Sequence, residues 1–448
     1  MSTHKTSAEF DRASLVQADL AHFVHPQTDL AAHADTGPLV IARGDGVFVE
    51  DIDGNRYLEG MAGLWCTGLG FSEPRLVEAA RRQLEILPYY QSFAGRGHEA
   101  GIRLADELAA IAPAGLRHVF FASSGSEAND SAIKFAWYYW AAQGAPERTT
   151  ILARRRAYHG VTIGSASLTG LPMMHGGFNV PRPFARHLTA PHFVAEGRDG
   201  ESEEAFSARL ADELEETIDR LGAASIAAFI AEPVIGAGGV ILPPKGYFAA
   251  IQPILKRHGI LFIVDEVITG LGRLGTMWGS ESHDLAPDML TCAKMLTSAY
   301  QPLSAVLLSP DVHAAIVSES GRRKGFGHGF TYSAHPVAAA VAREVLAIYR
   351  ERDIIGHVSR VTPGFQRQLQ QAGQHPAVRE ARGQGLIGGL EMREPANAAR
   401  LQSAAQAEGL FVRAVGGDVL AICPPLIITE AEISELFERL GRAMAFLG

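Results

Sequence analysis

Between about residue 75 and residue 320 the chain alternates between two hydrophobic patterns. Short apolar runs, at His118–Ala122, Thr150–Ala153, Ile226–Ala231, Ile260–Val264 and Ser304–Ser309, are separated by stretches with helical spacing. Runs this short and this uniformly apolar fit strands buried on both faces. Strands alternating with helices predict a mostly parallel sheet covered by helices. One helix is legible in detail: after Phe120-Phe121-Ala122, residues Ala128, Ala132, Ala136 and Trp140 fall on one stripe.

The two ends read differently. Val47–Gly60 alternates apolar and polar residues around Asp53-Gly54, the pattern of a β-hairpin. Gly385–Met392, Leu410–Ala414 and Val419–Cys423 predict strands of a small sheet. The last helix opens with Thr429-Glu430-Ala431-Glu432, a capping box, and Ile433, Leu436, Phe437, Leu440 and Met444 share one of its faces. The first residues read as an irregular arm. The expected class is α/β: a large domain with a mostly parallel central sheet covered by helices, plus a small α+β domain formed by both chain ends. Residues 1–74 are assigned to the arm and part of the small domain, 75–325 to the large domain, and 326–448 to the rest of the small domain.

Composition narrows the function classes. A hydrophobic fraction of 47% against 20% charged residues supplies a large core. A net charge of −9 without a Lys/Arg cluster argues against nucleic acid or an anionic membrane as partner. The most apolar long stretch, Leu221–Leu242, is broken by Glu232, Pro233 and glycines, so no membrane span is expected. Cys66, Cys292 and Cys423 are odd in number, far apart and outside CxxC pairs, which argues against a disulfide framework or a zinc finger. With a polar N-terminus, reduced thiols point to the cytoplasm.

Three segments carry candidate chemistry. Ile260–Val264 runs into Asp265, and ligands bind at the carboxyl ends of parallel strands; the same acid could equally cap the next turn. Lys294 follows the apolar Met289–Ala293, where burial would make its amine nucleophilic, although a lone lysine there could also snorkel. Ser123-Ser124-Gly125-Ser126 joins an apolar run to a helix, so backbone N–H groups and the helix dipole could hold an anion, or Ser124 could be a plain N-cap. Tyr158-His159-Gly160 could stack on a planar ligand or belong to the core. Gly270–Gly275 matches GxGxxG, but five residues separate it from its strand and no helix pattern follows, so it is set aside as a dinucleotide site.

Taken in order, seven phrases resemble the class III aminotransferases of PLP fold type I, and most closely the ω-amino acid or amine:pyruvate transaminases. They are MAGLWC (Met61–Cys66), SSGSEAND (Ser123–Asp130), YHG (Tyr158–Gly160), AEPVIGAGGV (Ala231–Val240), DEVITGLGR (Asp265–Arg273), AK (Ala293–Lys294) and GFTYSAHP (Gly329–Pro336). The resemblance implies pyridoxal 5′-phosphate (PLP) as cofactor, carried by Lys294 as a Schiff base. It implies Asp265 at the pyridine nitrogen, and Ser124, Gly125 and Ser126 at the phosphate. Tyr158 and Val267 would lie on opposite ring faces, with His159 and Glu232 supporting. Thr331 would reach the phosphate of a neighbouring subunit, making a homodimer or dimer of dimers with shared sites. Trp65, Phe93, Tyr158 and Phe330 would wall the substrate pocket, and Arg413 would receive a substrate carboxylate. No metal is implied.

The implied activity is amino transfer from a primary amine or ω-amino acid to pyruvate by a ping-pong path. Ala237 stands where the ornithine and γ-aminobutyrate branch carries Glu, and Ile268 where it carries Gln, which favours pyruvate over 2-oxoglutarate. Two other positions depart from the nearest relatives: Gln27 replaces an aromatic in the arm, and Val234-Ile235 replaces an Ile-Gln pair. A decarboxylase, an aminomutase or a 2-oxoglutarate-using transaminase remains the alternative on the same residues. An NAD oxidoreductase would rest on the glycine match alone.

Overall fold

A computed structural model describes residues 12–447. Its centre is a seven-stranded sheet of β1 (His118–Ala122), β2 (Thr150–Arg154), β3 (Ala185–Leu188), β4 (Ile226–Ala231), β5 (Leu261–Asp265), β6 (Met289–Cys292) and β7 (Ser304–Leu308). The spatial order is β1-β7-β6-β5-β4-β2-β3, and all pairs are parallel except those made by β7. This is the doubly covered, mostly parallel sheet expected from the apolar runs. β3 was not anticipated: Arg186 and His187 interrupt its hydrophobicity, as an edge strand with only one neighbour allows.

Strand alternation sends the core to two sides. Ala228, Ile230, Leu261 and Ile263 pack with Ala128, Ala132, Phe135 and Ala136 of helix α1 (Gly125–Ala142). Phe229, Ala231, Phe262 and Val264 pack on the opposite face, against helix α2 (Glu203–Leu221) and helix α3 (Tyr247–Arg257). A period of two explains both sets at once. It also puts Asp265, next in register after Leu261 and Ile263, on the α1 side.

The chain ends build two four-stranded sheets. Ile41–Asp45, Phe48–Asp51 and Arg56–Glu59 form an antiparallel set, with the expected hairpin at Asp53-Gly54. Val378–Gln384, Ile387–Met392, Val419–Ile422 and Arg413–Val415 form the other. The single strand expected over Leu410–Ala414 is in fact two. Leu410–Phe411 joins the hairpin sheet beside Leu58, while Arg413–Val415 joins the C-terminal sheet. Buried Val412 is the crossing point, so hydrophobicity runs unbroken through a change of sheet. The last helix, Glu430–Met444, has the expected capping box and buries all five residues of its apolar face.

The arm is more ordered than expected. It carries helices Arg12–His22 and Leu30–Thr36, neither with a buried residue, so no amphipathic stripe announced them. Gly270–Gly275 forms tight turns and opens no helix. Among the described residues no helix is long and apolar enough to cross a membrane.

Candidate active site

The parallel strands β2, β4, β5 and β6 end on one edge of the sheet. β7 runs the other way, and its first residue, Ser304, sits opposite Ala122 at the end of β1. A cavity of about 340 Å³ opens along this edge, lined by Ser123–Ser126, Asn129, Tyr158–Gly160, Glu232, Asp265, Val267, Ile268, Lys294 and the loop that enters β7. It therefore gathers the strand-end acid, the strand-end lysine and the serine-glycine loop that the sequence left as separate segments.

Asp265 closes the floor. The residue is 3% exposed and all three of its hydrogen bonds are accepted ones. Oδ2 accepts from Asn129 Nδ2 at 2.8 Å and contacts His159 Nδ1 at 2.8 Å, and Oδ1 accepts from the Val267 amide at 3.0 Å. An ionised carboxylate is the acceptor-only form that these donors suit, and it requires the His159 proton on Nδ1. Asn129 is itself fixed, donating also to the His159 carbonyl at 2.7 Å and accepting from Thr291 Oγ1 at 2.8 Å. The next residue, Glu266, is equally buried but faces away from the cavity. It accepts from the Gly279 and Ser280 amides and from Thr269 Oγ1, and so anchors a loop.

Helix α1 supplies the opposite end. Ser124 is its N-cap, with Oγ accepting from the Glu127 amide at 3.2 Å, and the Ser124 carbonyl accepts from Ser304 Oγ at 2.7 Å. Among the described residues the Gly125 and Ser126 amides have no acceptor. An eighteen-residue helix thus directs unpaired N–H groups and its positive dipole end at the cavity. Gly160, at φ 132°, lets the Tyr158–Gly160 turn close on this loop: a Cβ there would stand 2.4 Å from Ser126 Oγ.

Lys294 lines the same cavity two residues beyond β6, in the left-handed region at φ 47°. For a residue with a Cβ this is an uncommon conformation, kept where surroundings over-determine it. Tyr158 is held from behind. Its amide donates to Glu232 Oε1 at 3.0 Å, and Oε2 accepts from the Gly236 amide at 3.0 Å. Complete burial pushes the Glu232 carboxyl above its usual range. Burial also raises the Tyr158 phenol, against the pull of Gln27 and the nearby Arg413 charge.

The remaining sequence candidates lie elsewhere. Trp65 is 3% exposed in an apolar cluster with Met61, Ile268 and Leu274. Arg413 sits at the rim, its Nη2 donating to Gln27 Oε1 at 3.2 Å. Phe93 and Phe330 line a second cavity of about 1130 Å³, with Asp130 and Lys134 of α1, and Thr331 is exposed beside it. Within one chain these three do not wall the cavity that holds Lys294. Asn129 and the loop Gln301–Leu303 were not singled out from the sequence. For Asn129 a signal existed: it lies four residues after Gly125, a polar side chain between buried Ala128 and Ala132.

A phosphorylated, planar, nitrogen-containing aldehyde such as PLP fits this donor set. Unpaired amides at a helix N-terminus suit a dianion. A buried carboxylate set by three donors suits a protonated ring nitrogen, and a lysine at the cavity wall suits an aldehyde. A side chain at Gly125 would meet Val267 at 3.0 Å and narrow the space between them. Two clusters with metal-ligand composition exist among the described residues, Asp19/His25/His33 and His192/Glu380/Glu391, and neither lines this cavity.

Residues 30–444 match the family Aminotransferase class-III. The chain is 49% identical over 422 residues to γ-aminobutyrate transaminase 1, mitochondrial, of Oryza sativa subsp. japonica, covering 92% of this chain and 82% of that one. Among solved structures, the omega transaminase from Pseudomonas jessenii in complex with PMP superposes with a TM-score of 0.95 at 42% identity, covering 96% of this chain and 98% of that one. A transaminase with L-ala superposes with a TM-score of 0.90 at 48% identity, covering 91% and 99%.

Proposed function

The chain belongs to the class III aminotransferases, and on that premise we propose that it moves the amino group of a primary amine or ω-amino acid to pyruvate. It is a PLP-dependent aminotransferase that delivers the amino group to a keto acid. What carries the finer reading is Arg413 at the cavity rim, held by Gln27 and close enough to Tyr158 for its charge to act on the phenol. A guanidinium there can receive a carboxylate through two parallel hydrogen bonds. A long rim side chain can also withdraw to solvent when the substrate has no carboxylate, sparing a buried unpaired charge. Two relatives support the same substrates: one is named for γ-aminobutyrate, an ω-amino acid, and another was solved with L-alanine, the amino acid that pyruvate becomes.

The residues divide the work. PLP, when bound, supplies an electron sink for the pair left behind when the amine's Cα proton departs. The Gly125 and Ser126 amides and the Ser124–Ser126 loop bind its phosphate. Asp265, oriented by Asn129 and His159, holds a proton at the ring nitrogen. Tyr158 and Val267 confine the ring, and Glu232 fixes the Tyr158 backbone. Lys294 Nζ anchors the cofactor and moves the proton during turnover. Trp65 shares a buried apolar cluster with Ile268 of the cavity wall and backs that wall.

Phe93, Phe330 and Thr331 complete the site of a second copy. Phe93 and Thr331 are exposed and Phe330 is half-buried, all away from their own Lys294, which supports a homodimer or dimer of dimers with shared sites. On this reading residues 75–325 form the large domain, and 1–74 with 326–448 the arm and small domain. The three free cysteines support a reducing compartment, which we take as the cytoplasm.

A panel of amine donors with pyruvate or 2-oxoglutarate as acceptor tests the proposal. We expect alanine as product and a higher kcat/KM with pyruvate. Preference for 2-oxoglutarate would overturn the acceptor, while CO₂ release, or turnover without a keto acid, would replace the reaction class. Mixing Lys294→Ala with Thr331→Ala subunits tests sharing. Sharing predicts hybrids with one intact site and one doubly damaged site, and a fully active monomer would refute it.

A further inference from the structure

The arm residue Gln27 reaches the rim. Its Oε1 accepts from Arg413 Nη2 at 3.2 Å, and both side chains lie near enough to Tyr158 to pull its phenol against the effect of burial. One neutral side chain of the arm thus holds a guanidinium of the C-terminal sheet close to Tyr158, a residue of the Lys294 cavity wall.

The turn that carries Gln27 is clamped on both sides. Before it, His25 Nε2 lies 2.7 Å from Asp19 Oδ2, and from beyond it His33 Nε2 lies 2.9 Å from the other oxygen of the same carboxylate. The His25 and His33 rings pack with centroids 4.4 Å apart. After it, Asp29 caps helix Leu30–Thr36 by accepting from the Ala31 and Ala32 amides. Gln27 itself is at φ 50°, left-handed for a residue with a Cβ, so the arm holds it in one conformation although it is exposed.

We propose that Gln27 is a positioning residue that parks Arg413 at the cavity mouth and so sets the preference for carboxylate-bearing substrates. This rests on the reading of Arg413 given above. A neutral acceptor suits the role. It orders the guanidinium through one of its five N–H groups and leaves the others for an incoming carboxylate, without cancelling the charge. A carboxylate at position 27 would compete with the substrate instead. A shorter amide would not reach the guanidinium.

The experiment compares KM and kcat for pyruvate, and KM for a monoamine without a carboxylate, in holoenzyme variants. Gln27→Ala is expected to raise the pyruvate KM about three- to tenfold, the scale of one modest hydrogen bond, with kcat and the monoamine KM unchanged. Gln27→Asn should behave like Gln27→Ala, and Gln27→Glu should raise the pyruvate KM further. In an Arg413→Ala background Gln27→Ala should add nothing, because the residue it orders is gone. Equal effects on both substrates, or an undiminished Gln27→Ala effect without Arg413, would overturn the proposal. A raised pyruvate KM in Arg413→Ala with none in Gln27→Ala overturns the role of Gln27 alone. An unchanged KM in Arg413→Ala overturns the reading of Arg413, and this proposal with it.

Discussion

The floor and the rim of the cavity are built on opposite terms. At the floor, Asp265, Asn129, His159 and Thr291 are each 3% exposed or less and joined by hydrogen bonds of 2.7–2.8 Å. Four segments supply them: β5, β6, α1 and the turn after β2. At the rim, Gln27 is exposed, Arg413 is half-buried and their single contact is 3.2 Å. The contributors are the arm and the C-terminal sheet, far apart in the chain. A buried polar network is costly to leave half-satisfied, so it is rigid or absent. An exposed pair is worth little and can be remade for each substrate. The floor is suited to chemistry common to all turnovers, and the rim to choosing what enters.

Substitutions at the floor should therefore abolish chemistry without selecting among substrates. Lys294→Ala is the largest. Loss of the proton carrier alone removes about 10²–10⁴-fold from kcat, and loss of the cofactor anchor adds to it. Borohydride reduction followed by peptide mapping should place the adduct on Lys294 in the parent protein. An adduct on another lysine would move the centre of the floor elsewhere.

Asp265→Asn is next. The amide keeps the shape, but it turns one acceptor into a donor facing Asn129, His159 or Val267 and cannot hold a ring proton as an anion does. We expect PLP to be retained in part, and kcat to fall at least about tenfold, which is ~1.4 kcal/mol of barrier. A smaller loss, measured in both half-reactions, would take Asp265 out of the ring-partner role and leave it a structural acid like its neighbour Glu266.

Arg413→Ala asks whether the rim selects. A lost charged hydrogen bond of about 1.5–3 kcal/mol raises the pyruvate KM about 10- to 100-fold, while a monoamine donor is little changed. Equal losses in both half-reactions would make Arg413 part of the floor's rigid machinery. No loss in either would reduce it to a surface arginine.

The floor was also the more legible region. Uniform apolar runs end at Ala122, Ala231 and Asp265, and a parallel sheet brings such ends to one edge whatever lies between them. What the runs could not show is partnership: Asn129 lies 136 residues from Asp265, and only the register of α1 over β5 joins them. The rim left weaker traces. Its arm helices bury nothing, and the continuous Leu410–Ala414 pattern hid a change of sheet at Val412. Phe93, Phe330 and Thr331 could be identified as residues, but not their placement away from Lys294 within the chain. Within one chain they line another cavity or stand in solvent.

Glu232 joins the two regions, and its substitution is the smallest effect we expect. The residue follows β4 on the floor, yet its two oxygens hold the backbone of Tyr158, whose ring faces the rim, and of Gly236. Both contacts come from N–H donors, so both oxygens must accept. In Glu232→Gln one acceptor becomes an N–H₂ group aimed at a donor. One net hydrogen bond is worth about 1 kcal/mol, or roughly fivefold in kcat/KM. Because Tyr158 serves every substrate, the loss should fall equally on pyruvate and on a monoamine, unlike that of Arg413→Ala. Steady-state kinetics in both directions checks this. A loss confined to pyruvate would assign Glu232 to selection at the rim. No loss at all would carry a different lesson. It would mean that one accepted amide, from Tyr158 or from Gly236, is enough to hold the turn that carries the Tyr158 ring.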